Sequence, residues 1–163
     1  MARLDPGSSW KPTQRVDLSE VAIDVMGELW PLASAKDIDL GSVAHDRTLV
    51  HGDPDALRMM VTNIVDNAIR YTPQGGRVDI NLRRHPETVE LEVIDTGIGI
   101  PSEDRDRVFD RFYRSVGNST NGSGLGLAIV KRIAEQCGAT IALGSGRDGH
   151  GLRVCVFLRP AAN

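Results

Sequence analysis

Three segments of the chain place apolar residues three or four positions apart, which is the spacing of one helix face. This pattern predicts helices over residues 17–35, 54–71 and 125–136. Asp53 and Pro54 mark the start of the second helix, because aspartate can accept hydrogen bonds from the free N–H groups of a first turn and proline is tolerated there. Each predicted helix has one apolar face to bury against another layer.

Six shorter segments predict β-strands. In 77–83 and 89–93, apolar and polar residues alternate, so we expect strands with one face in the core and one in water. The four residues His85 to Thr88, which lie between them, suit a hairpin. Neighbouring strands mixed with helices predict an α+β domain, with helices on one face of a mixed sheet. The remaining predicted strands are 38–44, 48–51, 139–144 and 152–158, and residues 1–13 are interpreted as a tail or linker remnant.

Composition narrows the class of protein. The 163 residues are 40% hydrophobic and 25% charged, as in a globular domain with one core, and the net charge is −3. This balance gives no reason to expect nucleic acid or an anionic membrane as a partner. No apolar run reaches the roughly 18 to 20 residues of a membrane-spanning helix, so we expect a soluble domain. Cys137 and Cys155 are expected to be reduced, buried thiols.

The helix predicted over 54–71 carries a polar strip beside its apolar face. At 100° per residue, Asn63, Asn67 and Arg70 fall within about 60° of one another, with Tyr71 at the edge. A solvated surface explains such a strip, but asparagine is a weak helix former. A carboxamide oxygen is also a hard, neutral ligand of the kind that Mg²⁺ takes together with phosphates and water. Both interpretations stay open at this point.

Asp95 follows an apolar strand and precedes Gly97 and Gly99. An aspartate in this position is expected to be half-buried and to need hydrogen-bond donors. The glycines allow a sharp turn or a close approach to a flat ligand. An ionised carboxylate suits the amino group of adenine and repels the carbonyl oxygen of guanine, although capping of a turn is the alternative role.

Two further segments have phosphate-binding character. Residues 122–126, "GSGLG", open into the third predicted helix and would present N–H groups and a positive dipole end to an anion. Their spacing fits neither a dinucleotide fingerprint nor a Walker loop. Residues 102–121 contain Phe109, Phe112 and several arginines, which is typical of a lid or binding loop, with a solvated helix as the alternative.

The order of these motifs resembles one protein family. "NIVDNAIRYTP", "DTGIGIP", "RVFDRFYR" and "GSGLGLAIV" resemble, in that order, the asparagine, first glycine, phenylalanine and second glycine boxes of bacterial two-component sensor histidine kinases. The resemblance covers residues 14–160, the whole catalytic and ATP-binding domain of that family. It implies a two-layer ATP-binding sandwich, with three main helices on one face of a mixed sheet and a mobile ATP lid.

The resemblance also implies a site for ATP and Mg²⁺. Asn67 would ligate the metal with Asn63 nearby, Asp95 would accept from adenine, and Arg114 and the second glycine box would hold the phosphates. Arg70 stands where the family often has lysine, and it would contact phosphate with a different geometry. The implied nucleotide-binding residues are Asn63, Asn67, Arg70, Tyr71, Asp95, Gly97, Gly99, Ile100, Arg114, Gly122, Ser123, Gly124, Leu125, Gly126 and Leu127.

The implied activity is that of a protein-histidine kinase. The γ-phosphoryl group of ATP would pass to a histidine on a dimerisation domain and then to an aspartate of a response-regulator receiver domain. His45 and Asp46 lack the proline that follows a phosphoacceptor histidine in this family. We therefore expect no catalytic residue in this segment, no autophosphorylation, and a monomeric cytoplasmic domain of a membrane-anchored sensor that binds ATP or ADP.

Three other functions are weighed against this one. Superfamily ATPases such as gyrase B place a glutamate four residues before the metal-binding asparagine, as a base for water. Asn63 occupies that position, and its amide is not a useful base at neutral pH. An anti-sigma-factor-like serine kinase shares the fold but fits the phenylalanine box less well. A nucleotide-binding module without catalysis is disfavoured, because every expected ligand type is present.

Overall fold

The computed structural model describes residues 14–43, 48–105, 109 and 126–161. These residues form three long helices, seven strands and two short 3₁₀ turns at Ser102–Asp104 and Arg147–Gly149. The helices are α1 (Leu18–Ala35), α2 (Pro54–Arg70) and α3 (Gly126–Cys137). The strands are β1 (Gln14–Asp17), β2 (Asp39–Val43), β3 (Leu49–Gly52), β4 (Arg77–Arg84), β5 (Val89–Asp95), β6 (Thr140–Ser145) and β7 (Leu152–Leu158).

Five strands form one mixed sheet in the order β2-β4-β5-β7-β6. The β2–β4 pair is parallel and the other three pairs are antiparallel. The hairpin predicted between β4 and β5 is confirmed, and His85 N–H donates to the Thr88 carbonyl oxygen at 2.8 Å. A separate antiparallel pair joins β1 to β3. β1 was not predicted, because it lies between the supposed tail and the start of α1 and is defined by its pairing with the distant β3.

Both predicted helix starts are capped by aspartate. Asp53 lies at the N-cap of α2, where its Oδ1 accepts from Asp55 N–H at 2.9 Å. Asp17 lies at the N-cap of α1 rather than inside it, and its Oδ1 accepts from Ser19 N–H at 3.1 Å. Each carboxylate satisfies a donor that a first helical turn leaves free.

The core lies between the helices and one face of the large sheet. α2 contacts α1, α3 and the central strands, so it is the middle element of the helical layer. The arrangement is the predicted α+β sandwich of two layers. The largest fully buried side chains include Leu18, Leu57, Met60, Ile64, Ile69, Ile80, Leu91, Ile133 and Leu158.

The outer face of the sheet differs from the prediction. It is polar, as the alternation indicated, but Asn81, Glu90 and Glu92 are only 7%, 5% and 3% exposed. Two arginines cover them: Arg83 Nη2 lies 3.1 Å from Glu92 Oε1, and Arg153 Nε lies 2.5 Å from Glu92 Oε2. Long arginine side chains shield the short acidic ones from water, which a period-two pattern cannot reveal.

The position of Glu92 affects the pKa of its carboxyl group. Burial acts to raise this pKa, but hydrogen bonds from Arg83, Arg153 and Asn81 outweigh it, and the pKa is lowered from its ordinary value of 4.5. A depressed pKa in the folded state contributes stability that is present above the unfolded value and lost as the pH falls through the folded value. Glu92 therefore stabilises the domain at neutral pH.

We predict that Glu92→Gln lowers the free energy of unfolding at pH 7 by about 1–3 kcal/mol, because two half-exposed arginines lose a charged partner. The difference from the wild type should shrink as the pH falls below 4.5, the ordinary value for this group. Urea denaturation at several pH values measures both effects. Glu87→Gln, at an exposed position, is the matched control. A pH-independent loss in Glu92→Gln would contradict the prediction.

Candidate functional site

The polar strip of α2 faces the start of α3. Asn63 and Asn67 are half-buried, and Asn63 Nδ2 donates to the carbonyl oxygen of Met59 at 2.8 Å. The side-chain oxygen of Asn63 points the other way, since a Cβ built on Gly126 would lie 3.5 Å from it. Gly126 is the first residue of α3, so an amide oxygen and a helix N-terminus border the same space.

Arg70 is the exposed member of the strip. Its Nε lies 2.9 Å from Asp66 Oδ2, one turn earlier on α2. This ion pair lies along the helix surface, and 42% of the Arg70 side chain is exposed. Exposed pairs of this kind contribute only a few tenths of a kcal/mol, about 0.3–0.5, so the guanidinium can exchange its partner for an anion at little cost.

The C-terminal end of α2 is held by contacts that the sequence did not indicate. Lys36 Nζ donates to the carbonyl oxygens of Ile69 and Arg70 at 2.9 and 3.1 Å. Burial and the nearby Arg70 charge lower the pKa of Lys36. Ile98 N–H donates to the Tyr71 carbonyl oxygen at 3.3 Å, which joins the glycine-containing turn after β5 to the same helix end.

Asp95 ends β5 and is 4% exposed. Its Oδ1 accepts from Gly97 N–H at 2.9 Å and from Leu152 N–H at 3.1 Å. Burial raises the pKa of Asp95, and these two backbone hydrogen bonds oppose the rise. Because both described bonds go to Oδ1, the carboxylate keeps its second oxygen as an acceptor for a ligand.

The glycines after Asp95 serve contacts within the protein. A Cβ on Gly97 would lie 2.3 Å from the Tyr71 carbonyl oxygen, and one on Gly99, whose φ is +72°, would lie 2.8 Å from the Gly151 carbonyl oxygen. The sequence suggested that these glycines allow a flat ligand to come close. In the structure, the space that a side chain would fill is taken by the backbone of Tyr71 and Gly151. Ile98 between them is 59% exposed, and Ile100 packs against the core.

Only part of the predicted phosphate-binding region falls within the described residues. Phe109 packs against the core, and Lys131 Nζ on α3 lies 5.8 Å from the centre of its ring. Leu127 is 8% exposed and belongs to the core, which leaves its backbone as the part that can contact a ligand. The predicted residues Arg114, Gly122, Ser123, Gly124 and Leu125, and the His45 segment, lie outside the described residues.

A second cluster of possible metal ligands lies on the outer face of the sheet. Glu90, Glu92 and Cys155 bring their ligand atoms within 4.8 Å of one another. Both carboxylates are engaged with Arg153, and burial together with a hydrogen bond to Glu90 raises the pKa of the Cys155 thiol to about 12. A protonated thiol is a poor metal ligand, so this cluster is an ion-pair layer. Cys155 is buried, as predicted, whereas Cys137 is half-buried.

Comparison with known proteins identifies the family. Residues 52–162 match the family of histidine kinase-, DNA gyrase B-, and HSP90-like ATPases. The chain belongs to that family, and the resemblance to the catalytic and ATP-binding domain of sensor histidine kinases is confirmed. Within the described residues, no helix combines the length and apolar character needed to cross a membrane.

Three relatives illustrate the match. The sensor protein kinase PmrB of Pseudomonas aeruginosa is 44% identical over 159 residues, covering 97% of this chain and 33% of PmrB. The structure of the mycobacterial sensor histidine kinase MprB is 34% identical with a TM-score of 0.80, covering 91% of this chain and 99% of that one. Full-length ShkA in complex with AMPPNP is 26% identical with a TM-score of 0.82, covering 97% of this chain and 33% of ShkA. The chain therefore spans about a third of the length of the curated relative.

We predict that Asp95→Asn weakens binding of adenine nucleotides while stabilising the apo domain at neutral pH. The amide oxygen can still accept from Gly97 and Leu152, but the second position becomes a donor facing the amino group of adenine. Because the pKa of Asp95 is raised, stability falls as the pH rises above the ordinary value of 3.8, and the full cost of the ionised carboxylate is present above the folded pKa.

Calorimetric titration with ATP and urea denaturation at pH 7 measure the two effects of Asp95→Asn. Glu87→Gln, at an exposed position between β4 and β5, is a control for the loss of one negative charge. Unchanged affinity for ATP in Asp95→Asn would contradict the assignment to adenine, and lower stability would contradict the predicted cost of the buried charge.

Proposed function

We propose that this domain binds Mg·ATP and donates the γ-phosphoryl group to a histidine on a separate dimerisation domain of the same sensor kinase. The phosphoryl group is then relayed to an aspartate of a response-regulator receiver domain. The segment is the cytoplasmic, nucleotide-binding part of that kinase, spans residues 14–160 and acts as a monomer until the dimerisation domain is supplied.

One observation carries the proposal: motifs that are distant in the sequence contact the same helix, α2. The end of α2 is bonded to the turn after Asp95 through Ile98 and Tyr71, and Asn63 faces the start of α3 through Gly126. A buried carboxylate acceptor, an amide strip and a helix N-terminus thus lie on α2 or on elements that contact it. These are the groups that recognise, respectively, an aminopurine, a metal-bound phosphate and a phosphate anion.

The donor set fits magnesium. Asn67 and Asn63 offer neutral carboxamide oxygens, and the Nδ2 of Asn63 is occupied by Met59, which directs its oxygen towards α3. Mg²⁺ commonly takes one or two protein oxygens and completes its shell with phosphate and water. We propose Asn67 as the ligand and Asn63 as its neighbour. The metal would neutralise charge on the triphosphate.

The residues of this chain contribute positioning and charge stabilisation. Asp95 fixes the base, and Arg70 can release Asp66 to contact a phosphate oxygen. The N–H groups at the start of α3 can donate hydrogen bonds to phosphate oxygens. In the transfer step, the bond from the γ-phosphorus to the bridging oxygen breaks as a bond to an imidazole nitrogen forms, and ADP leaves. The nucleophile is on the other domain.

Hydrolysis by this domain alone is disfavoured. A superfamily ATPase requires a base for water, and the corresponding position is Asn63, whose side-chain nitrogen donates to the Met59 carbonyl oxygen. A hydrogen-bonded amide does not take a proton at neutral pH. The proposal therefore includes slow turnover of ATP in the absence of a phosphoacceptor.

We predict that Asn67→Ala weakens Mg·ATP binding by about tenfold or more, because a hydrogen bond or ligand to a charged group is worth about 1.5–3 kcal/mol. The effect should be small when ATP is titrated in EDTA. Thr62→Ala is the matched control, since it lies about 140° around the same helix. Equal losses with and without Mg²⁺ would contradict the assignment of Asn67 as the ligand, and unfolding of the variant would make it a structural residue.

We predict that radiolabelled ATP transfers phosphate to a separately expressed, histidine-bearing helical fragment of a sensor kinase. The product should be labile in acid and stable in alkali, as expected of a phosphoramidate, and the isolated domain should stay unlabelled. Acid-stable label would favour a serine kinase. Rapid release of inorganic phosphate without the fragment would favour an ATPase.

A further inference from the structure

The connection between β6 and β7 is rich in glycine. Four of the eight residues 144–151, "GSGRDGHG", are glycine. Neither the sequence motifs nor the proposed function gives it a role. In the structure the turn lies against the C-terminal end of β5. The reason is that β7 pairs with β5, so the start of β7 lies beside Asp95, the last residue of β5.

The first contact of this turn with Asp95 is a hydrogen bond. Leu152 N–H donates to Asp95 Oδ1 at 3.1 Å, across 57 positions of sequence. Gly97 N–H donates to the same oxygen at 2.9 Å. A carboxylate oxygen held by two backbone amides from different elements cannot rotate without leaving a buried donor unpaired, which costs free energy.

The second contact is direct packing of backbone on backbone. A Cβ on Gly151 would lie 1.9 Å from the Asp95 carbonyl oxygen and 3.0 Å from its Oδ1. A Cβ on Gly146 would lie 2.8 Å from the same carbonyl oxygen. Gly151 also has a φ of +77°, which side chains disfavour. Only glycine lets this turn come close enough for the Leu152 amide to reach the carboxylate.

We infer that the β6–β7 turn is a positioning element for base selection, in which Gly151 and the Leu152 amide lock one oxygen of Asp95 and thereby aim the other at the ligand. This inference rests on the proposed function, since it assigns Asp95 to the adenine amino group. Leu152 and Gly151 are positioning residues, because they act through Asp95.

The fixed orientation of the Asp95 carboxylate matters for selectivity, because adenine and guanine differ at the group that faces it. An aimed acceptor attracts the amino group of adenine and repels the carbonyl oxygen of guanine. A carboxylate free to turn would lose part of the attraction and avoid part of the repulsion. Disturbing the turn should therefore reduce the ratio of ATP to GTP affinity, whereas general destabilisation would weaken both nucleotides alike.

The test compares Gly151→Ala with Gly149→Ala. Gly149 has nearly the same backbone, with a φ of +76°, but a Cβ there meets nothing within 4 Å. The two variants therefore share the strain of a positive φ and differ in the contact with Asp95. We expect Gly151→Ala to weaken ATP binding by about tenfold or more and to bring the ATP-to-GTP ratio towards one, while Gly149→Ala leaves that ratio within about twofold.

Calorimetric titration of both nucleotides with Mg²⁺ gives these affinities. Retention of the wild-type ratio in Gly151→Ala, or an equal change in Gly149→Ala, would overturn the inference. Wild-type protein that does not bind ATP, or that binds ATP and GTP equally, would instead overturn the proposed function, so the two failures are distinguishable.

A second measurement needs neither nucleotide nor a folded Gly151→Ala variant. In heteronuclear NMR spectra of the apo domain, the amide protons of Gly97 and Leu152 should both move upfield in Asp95→Asn, since their acceptor loses its charge. The amide of Val156, in the middle of β7, should not move. A Leu152 amide that stays in place while Gly97 moves would show that the turn does not hold the carboxylate.

Discussion

The proposed site depends on a buried carboxylate at the end of the central strand β5. Asp95 is 4% exposed, so its charge is tolerated only with hydrogen-bond donors around it. Those donors are backbone amides of Gly97 and Leu152, and they tie two turns to one strand end. Burial still raises the pKa of Asp95, which means that the ionised form is kept at some cost in stability. A group of this kind is typical of a binding site.

α2 joins this carboxylate to the rest of the site. Its apolar face forms the middle of the core, its amide strip faces the start of α3, and its C-terminal carbonyls are held by Lys36. The charged layer around Glu92 lies on the opposite side of the sheet, where it stabilises the strands without taking part in the site. The proposed binding groups and the stabilising charges are thus separated by the sheet.

Periodicity predicted most of the fold. The bounds of α2 and α3 fall within one residue of the predicted ones, because long apolar stripes and an N-cap aspartate are local signals. The strand β1 was missed, since its pairing with β3, more than 30 residues away, leaves no local signal. The polar face of the sheet was expected in water, but Glu92 is buried beneath Arg83 and Arg153, whose reach depends on the register of neighbouring strands.

The sequence by itself determined the family and the class of fold, and it supplied the residues of the proposed site, because four motifs in a fixed order carry that information along one chain. Only the tertiary structure decided that Lys36 caps α2, that Gly97 makes room for the Tyr71 carbonyl, and that Leu152 supplies an amide to Asp95. The physical reason is that every residue except proline has the same backbone N–H group. Which amide meets a buried carboxylate is therefore set by strand pairing and turn geometry, and not by the identity of the side chain.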